Sequence, residues 1–280
     1  MPISVHPSHR HYPTEMSSLA PSRSGLLFFV FLVSATSLQA WSDKGHRVVA
    51  LAAQENLSEN AKRRVGYLLG KSPKLVEVAT WADEVSRTRP ETEAWHSITI
   101  PAGAEGVDLE RDCPLGDCIT AKVRDCIGIV RLAIKPQQEI LEAFKMLVGL
   151  AADMHQPLLN GYPPARSKEN SIVVLDGTDM PLIQAWDSAL LDRLGNEKEV
   201  LRMVRQRIAE TDTEAWKVGT LSDWTWETHQ IAIRKVYPSV AETDRTILDQ
   251  AAMEAASTVI VEQLAKSAIR LTQLLDVAWP

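Results

Sequence analysis

The sequence predicts an all-α fold: a single, mainly helical domain with one short β-hairpin in a chain of 280 residues. Three observations carry that expectation. Apolar residues recur at helical spacing through almost the whole chain after residue 41. One run alone, "NSIVVLDG" (170–177), is strand-like. No repeat, low-complexity tract or convincing linker divides the sequence.

The elements follow in order. "HRVVALAAQENL" begins the first helix, and "SENAKRRVGYLLG" forms the second, with Ser58 placed to cap it and Gly70 to end it. "PKLVEVATWADEVSR" reads as a third. In "CITAKVRDCIGIVRLAI", Ile119, Val123, Cys126, Ile127 and Val130 fall on one face. Residues 137–155 form the most buried helix, with Ile140, Phe144, Leu147, Ala151 and Met154 spaced by fours and threes, and Pro157 ends it. "NSIVVLDG" is half of a hairpin. "MPLIQAWDSALLDRL", "EKEVLRMVRQRIAE", "TLSDWTWETHQIAIRKVY" and a long helix from about 243 to 276 complete a helix-bundle domain.

The composition, 45% hydrophobic and 24% charged, is that of a globular chain. Its N-terminus reads differently. "GLLFFVFLVSATSLQA" (25–40) follows Arg10 and Arg23, ends in small residues, and is too short for a membrane span. It suits a cleaved signal peptide covering residues 1–40, with the folded domain at 41–280 and a secreted or periplasmic location. An uncleaved anchor and a start at Met16 are the alternatives. Cleavage removes two basic residues and one acid from totals of 30 and 36, leaving a net charge of −7. Such a chain has no broad footprint for duplex nucleic acid, so an anionic substrate needs a local cationic site or a metal. Cys113 and Cys118 in "RDCPLGDC" are close enough to close a small disulfide loop in an oxidising compartment, against free thiols; Cys126 is left odd.

Asp153 raises the chemical question. It lies on an otherwise apolar helix, where an unpaired carboxylate costs several kcal/mol, so it needs a metal or a distant Arg or Lys. Asp187 in "QAWDSALL" raises the same question. Asp83 in "TWADE" and His96 in "AWHSITIP" are good zinc ligands, though each alone is more often structural. At a chain end freed before Trp41, the α-amine and carbonyl oxygen can chelate one metal, and His46 can add a nitrogen. Any residue left before Trp41 would convert that amine to an amide, which is no ligand.

Taken together, "WSDKGH", "TWADE", "WHSITIP", "ERDCPLGDC", "FKMLVGLAADMHQPL", "NSIVVLDG" and "AWDSALL" come in an order that resembles the secreted zinc-dependent single-strand-specific nucleases of fungi, plants and bacteria. "DWTWETHQIAIRKVYP" resembles a later helix of the bacterial members, and the likeness runs from about 41 to 275. It implies the mainly helical fold of the zinc-dependent phospholipase C and single-strand nuclease type. In those proteins three zinc ions deprotonate a water that attacks phosphorus and releases a 3′-oxygen.

Carried over residue by residue, the resemblance implies one complete site: the Trp41 amine and carbonyl, His46 and Asp153. A second has Asp83, His96 and the shared Asp153, but Gly149 stands where the family has a histidine. The third keeps only Asp187, with Leu159 and Ile183 at its two histidine positions. One or two zinc ions are therefore expected instead of three, with Asp83 and Asp153 as the catalytic carboxylates. Gly149 is expected to leave room for a water or for His155 to swing in. The family's Arg and its Asp or Asn near the reacting phosphate are Ser86 and Thr99 here. Three functions are weighed: a metal-dependent endonuclease on single-stranded DNA or RNA, with no stable membrane association after cleavage; a catalytically impaired relative binding nucleotides or one structural zinc; and a zinc phosphodiesterase on phospholipid head groups.

Overall fold

Ser42 precedes the first helix, α1 (Asp43–Asn56), whose inner face buries Val48, Val49, Ala52 and Ala53. In this computed structural model the described residues are 1, 41–70, 74–101, 103–161, 171–240 and 245–280. The expected leader, at residues 1–40, lies outside them apart from Met1. Helix α2 (Glu59–Leu69) is capped by the Ser58 side chain, which accepts from the Ala61 amide, and Gly70 ends it with a positive φ of 75°.

The third helix is shorter than the sequence predicts. Leu75–Glu77 makes one 3₁₀ turn, and α3 (Trp81–Thr88) starts only after a break. The β-branched residues Val76, Val78 and Thr80 weaken helix through that stretch. A second 3₁₀ segment, Pro90–His96, leads to the loop closed by the Cys113–Cys118 disulfide. Helices α4 (Ile119–Leu132) and α5 (Gln137–Asp153) pack on each other. Along α5 every residue from Phe144 to Asp153 except Lys145 is buried. Cys126 is free and buried on α4, and burial pushes its thiol up to about 12.

Strands β1 (Ile172–Leu175) and β2 (Thr178–Pro181) form an antiparallel hairpin with Leu175 opposite Thr178. Asp176 and Gly177, both at positive φ, make its turn. Helical chain continues through Leu182–Gln184, a π-turn at Ala185–Ala189, and Leu190–Arg193. Helices α6 (Glu197–Ala209) and α7 (Leu221–Ile231) each begin with a capping box. The predicted start of the last helix, near 243, is corrected. Arg245–Ile247 forms β3, parallel to β1, so the sheet order is β2-β1-β3. Helix α8 (Gln250–Ala278) begins where Asp249 can cap the Ala252 amide at 2.8 Å. It packs against α1, α5 and α6. Among the described residues no helix is long and apolar enough to cross a membrane.

Candidate metal centre

Four separate elements deliver the polar residues at the centre of the fold. His46 comes from the first turn of α1, Asp83 from the first turn of α3, His96 from the end of the Pro90–His96 turn, and Asp153 from the last position of α5. That end of α5 is held by side chains that satisfy its free carbonyls. Ser267 Oγ donates to Ala151 O at 3.0 Å, Trp41 Nε1 to Ala152 O at 3.2 Å, and Asn160 Nδ2 to Met154 O at 3.2 Å. Asp153 is thereby fixed in position while fully buried.

The two carboxylates are each divided between the two imidazoles. His46 Nε2 lies 3.1 Å from Asp153 Oδ1 and 3.3 Å from Asp83 Oδ2. His96 Nδ1 lies 2.7 Å from Asp153 Oδ2 and 3.7 Å from Asp83 Oδ1. Two half-sites therefore share both acids, one oxygen to each side. His46 Nε2 and Asp153 Oδ1 make no hydrogen bond despite full burial, nor does His96 Nε2. Orphaned buried donors and acceptors are rare, and those of His46 and Asp153 face one another. One ligand atom from each of His46, Asp83 and Asp153 can lie within 4.8 Å of the others, close enough to hold one metal ion.

Electrostatics supply the cation that Asp153 needs. Burial opposes protonation of His46, but Asp83 and Asp153 outweigh it and raise its pKa to about 9. Burial likewise opposes charge on His96, and the Asp153 hydrogen bond and charge lift it above its usual value. Burial raises Asp83. For Asp153, burial is outweighed by His46 and His96, which hold it below the usual carboxylate range. Metal-free, the counter-ions of Asp153 are thus imidazolium groups, not the Arg or Lys that its sequence position also allows.

A stability consequence follows from the His46 shift. Protonation of His46 stabilises the metal-free fold fully below about pH 6.5, and that contribution disappears as pH rises through about 9. Zinc requires the neutral imidazole, so its stabilisation should grow over the same interval. Thermal unfolding of chelated and zinc-loaded protein across pH 6–10 should show the two curves diverging with rising pH. Parallel curves would contradict a metal ligand role for His46.

The other expected site residues are distributed unevenly. Trp41 is buried against the end of α5, and a Cβ on Gly45 would lie 2.6 Å from its Cβ, so glycine is required for that seat. The Ser42 amide donates to Asp187 O, which brings Asp187 to the start of the domain. The Asp187 carboxylate is outside the His46–Asp83–Asp153 cluster and accepts from Gln156 Nε2 at 2.6 Å. Leu159 is in the core and Ile183 packs against it, so apolar contact fills the positions of the third site's nitrogens. Ser86 turns its hydroxyl back to Asp83 O. Thr99 lines a recess of about 460 Å³ with Glu93, Ser97 and Asp112.

Two expectations about α5 are corrected. Gly149 leaves no free space: a Cβ there would stand 2.7 Å from Ala82 Cβ, because α3 packs directly on α5. Nor can His155 swing in. Its Nδ1 donates to Ala151 O at 2.9 Å, and its Nε2 accepts from Arg270 Nη1 at 3.1 Å. Burial and Arg270 hold its pKa down at about 3. Arg270 in turn donates to Glu227 and to Trp216 O. Sequence reasoning misses both Gln156 and Arg270. Gln156 is polar and close to Asp153 in the chain, which is a usable signal, whereas Arg270 lies 115 residues from His155 and carries no local one.

The comparisons agree with this geometry. The S1/P1 Nuclease family model matches residues 41–279. Nuclease S1 of Aspergillus oryzae is 29% identical over 206 residues, covering 69% of this chain and 70% of that protein. Nuclease P1 of Penicillium citrinum is 30% identical over 164 residues, 55% of this chain and 59% of that protein, less than two thirds of its length. Nearly the whole of the described domain is matched by the family model, and the chain belongs to the S1/P1 nuclease family.

Proposed function

We propose that this chain is an exported zinc-dependent nuclease hydrolysing phosphodiester bonds in single-stranded nucleic acid. Its leader would end at Ala40 and its working domain occupy residues 41–280. The observation that supports this most is the division of both carboxylates between His46 and His96. The donors suit zinc, which favours imidazole and carboxylate, and the orphaned atoms of His46 and Asp153 are those an ion would satisfy. The Trp41 amine and carbonyl, His46 and Asp153 would hold one ion; Asp83, His96 and Asp153 would hold a second, giving one or two ions per chain.

Zinc bound there would act as a Lewis acid on the phosphate and make water a stronger nucleophile near neutral pH. The protein's own contribution is orientation and charge. Asp153, pinned by the contacts to Ala151, Ala152 and Met154, keeps its two oxygens aimed at opposite half-sites. Asp83 supplies the second divided carboxylate. Burial of all four side chains keeps bulk water from screening them, so their charges act strongly on a bound phosphate. Beside Asp83, Lys145 and Arg89 stand 5.3 and 5.8 Å from the Trp81 ring, which offers positive charge and an aromatic face to a nucleic-acid strand.

Release of acid-soluble nucleotides tests the reading. Protein beginning at Trp41 should degrade single-stranded DNA and RNA faster than duplex, stop on chelation, and recover with zinc. Edman sequencing of the exported protein should read Trp-Ser-Asp. A variant retaining one extra residue before Trp41 should lose the His46 ion, since the amine would become an amide. A second reading, a non-catalytic relative that binds nucleotide or one structural zinc, is favoured by the closed space at Gly149. Zinc retained without any nucleotide release would establish that alternative.

A further inference from the structure

At the far end of α5 from Asp153 lies a recess of different character. Gln137 and Asp153 are the first and last residues of this 17-residue helix, so about 24 Å separates them at roughly 1.5 Å per residue. Next to Gln137, two adjoining hollows of about 320 and 600 Å³ open between α2, the end of α4 and the end of α8. Both are lined by Arg64, Tyr67, Val130, Ala133 and Trp279. Arg63 and Arg131 extend one hollow, and Lys135 extends the other.

Three features set this recess apart. The chain as a whole is acidic, at −6, yet no Asp or Glu side chain lines either hollow. Neither Arg64 nor Arg131 has a hydrogen-bonding or ion-pairing partner among the described residues, whereas Arg47, Arg111, Arg205 and Arg245 are all paired with carboxylates. Free guanidinium groups gathered without acids make a local positive field suited to phosphate. The third feature is aromatic. Tyr67 is 67% exposed at the recess, and Trp279, anchored on Phe144 with ring centres 5.9 Å apart, is buried in its wall. An exposed ring among cations matches a ligand that alternates phosphates with unstacked bases.

We propose that this recess is a second, non-catalytic binding site for single-stranded nucleic acid, with Arg64 and Arg131 on phosphates and Tyr67 under a base. The proposal rests on the nuclease reading for its choice of polyanion. The concave shape favours a strand over a membrane surface, although Leu132 and Ile134, exposed at the end of α4 and just beyond it, make anionic lipid the rival. A site here would hold a long substrate while the metal centre acts elsewhere on the same strand, which raises apparent affinity for long chains and not for dinucleotides.

The test uses the protein from Trp41 onward with metal chelated, so that no strand is cut and no ion at the centre draws phosphate. Fluorescence anisotropy of a short labelled oligothymidylate reads binding across a salt series. The double variant Arg64→Ala/Arg131→Ala should weaken binding and flatten the slope of log K against log salt by about 1.4, about 0.7 per cation. Tyr67→Ala should weaken it roughly tenfold with the slope unchanged. Zinc-loaded variants should keep the parent's rate on a dinucleotide. Unchanged affinity in both variants would overturn the site, as would equal affinity for duplex. Binding to phosphatidylserine vesicles that the double variant loses would assign the recess to lipid instead. If the parent never cleaves nucleic acid but binds the oligomer through these residues, the nuclease reading falls and this site stands. If the parent cleaves but its oligomer binding ignores these residues, the site falls and the nuclease reading stands.

Discussion

Asp153→Ala should empty the metal centre and reduce nucleotide release to background. Asp153 gives one oxygen to His46 at 3.1 Å and the other to His96 at 2.7 Å, so both half-sites lose a ligand in one substitution. Loss of a single electrostatic donor typically costs roughly 10²–10³ in rate, and here the shared ligand of two ions goes at once. Stability should fall as well. Without the carboxylate, burial dominates His46 and His96, and much of the attraction that raises their pKa values is lost. Removing one member of a buried charged set costs roughly 3–5 kcal/mol. Asp153→Asn keeps the shape and removes the charge, so it should fold better than the alanine variant and still fail to retain zinc. Thermal unfolding and metal content on the same samples separate the two effects. Either variant holding zinc at the parent's level would remove Asp153 from the centre.

Gly149→His should destabilise the protein and give no gain in activity. The family-based repair looks like restoration of a missing ligand, but the first atom of the new side chain meets Ala82 Cβ at 2.7 Å. Both atoms belong to packed helices, so α3 and α5 must move apart. The better helix propensity of a non-glycine residue is worth under about 1 kcal/mol, whereas overpacking costs typically about 1–3 kcal/mol before the imidazole itself is placed. For a chain of this size the melting temperature should drop by roughly 4–12 °C. Ala82→Gly removes the offending carbon, and the next neighbours of the Cβ, at 3.6 and 3.8 Å, are ordinary contacts. The double variant Ala82→Gly/Gly149→His should therefore recover stability relative to Gly149→His and bind a second zinc more tightly. Full stability and raised activity in Gly149→His alone would contradict the packing described.

Local chemistry makes much of this legible in the sequence. A carboxylate on an apolar helix, as at Asp153, declares that something cationic must meet it, and His46, Asp83 and His96 sit in motifs whose order points to one centre. The hairpin is readable because Asp176-Gly177 is a turn that few other residues make. Other features depend on distances between helices, which no local pattern encodes. Gly149 reads as vacant space in the sequence because the approach of Ala82 is a tertiary fact. His155 reads as mobile because its partner Arg270 is on another helix. Strand β3 is three residues long, and its pairing with β1 is likewise remote, so helical periodicity runs over it.

Zinc content of the protein that begins at Trp41, measured by mass spectrometry alongside Asp153→Ala, addresses the centre most directly. The expected result is one or two tightly held ions in the parent and none in the variant. Leu159 and Ile183 offer no lone pair and Asp187 is engaged by Gln156, so a third ion would have too few ligands to stay. Three tightly held ions, or equal zinc in parent and variant, would contradict a centre built on Asp153 and divided between His46 and His96.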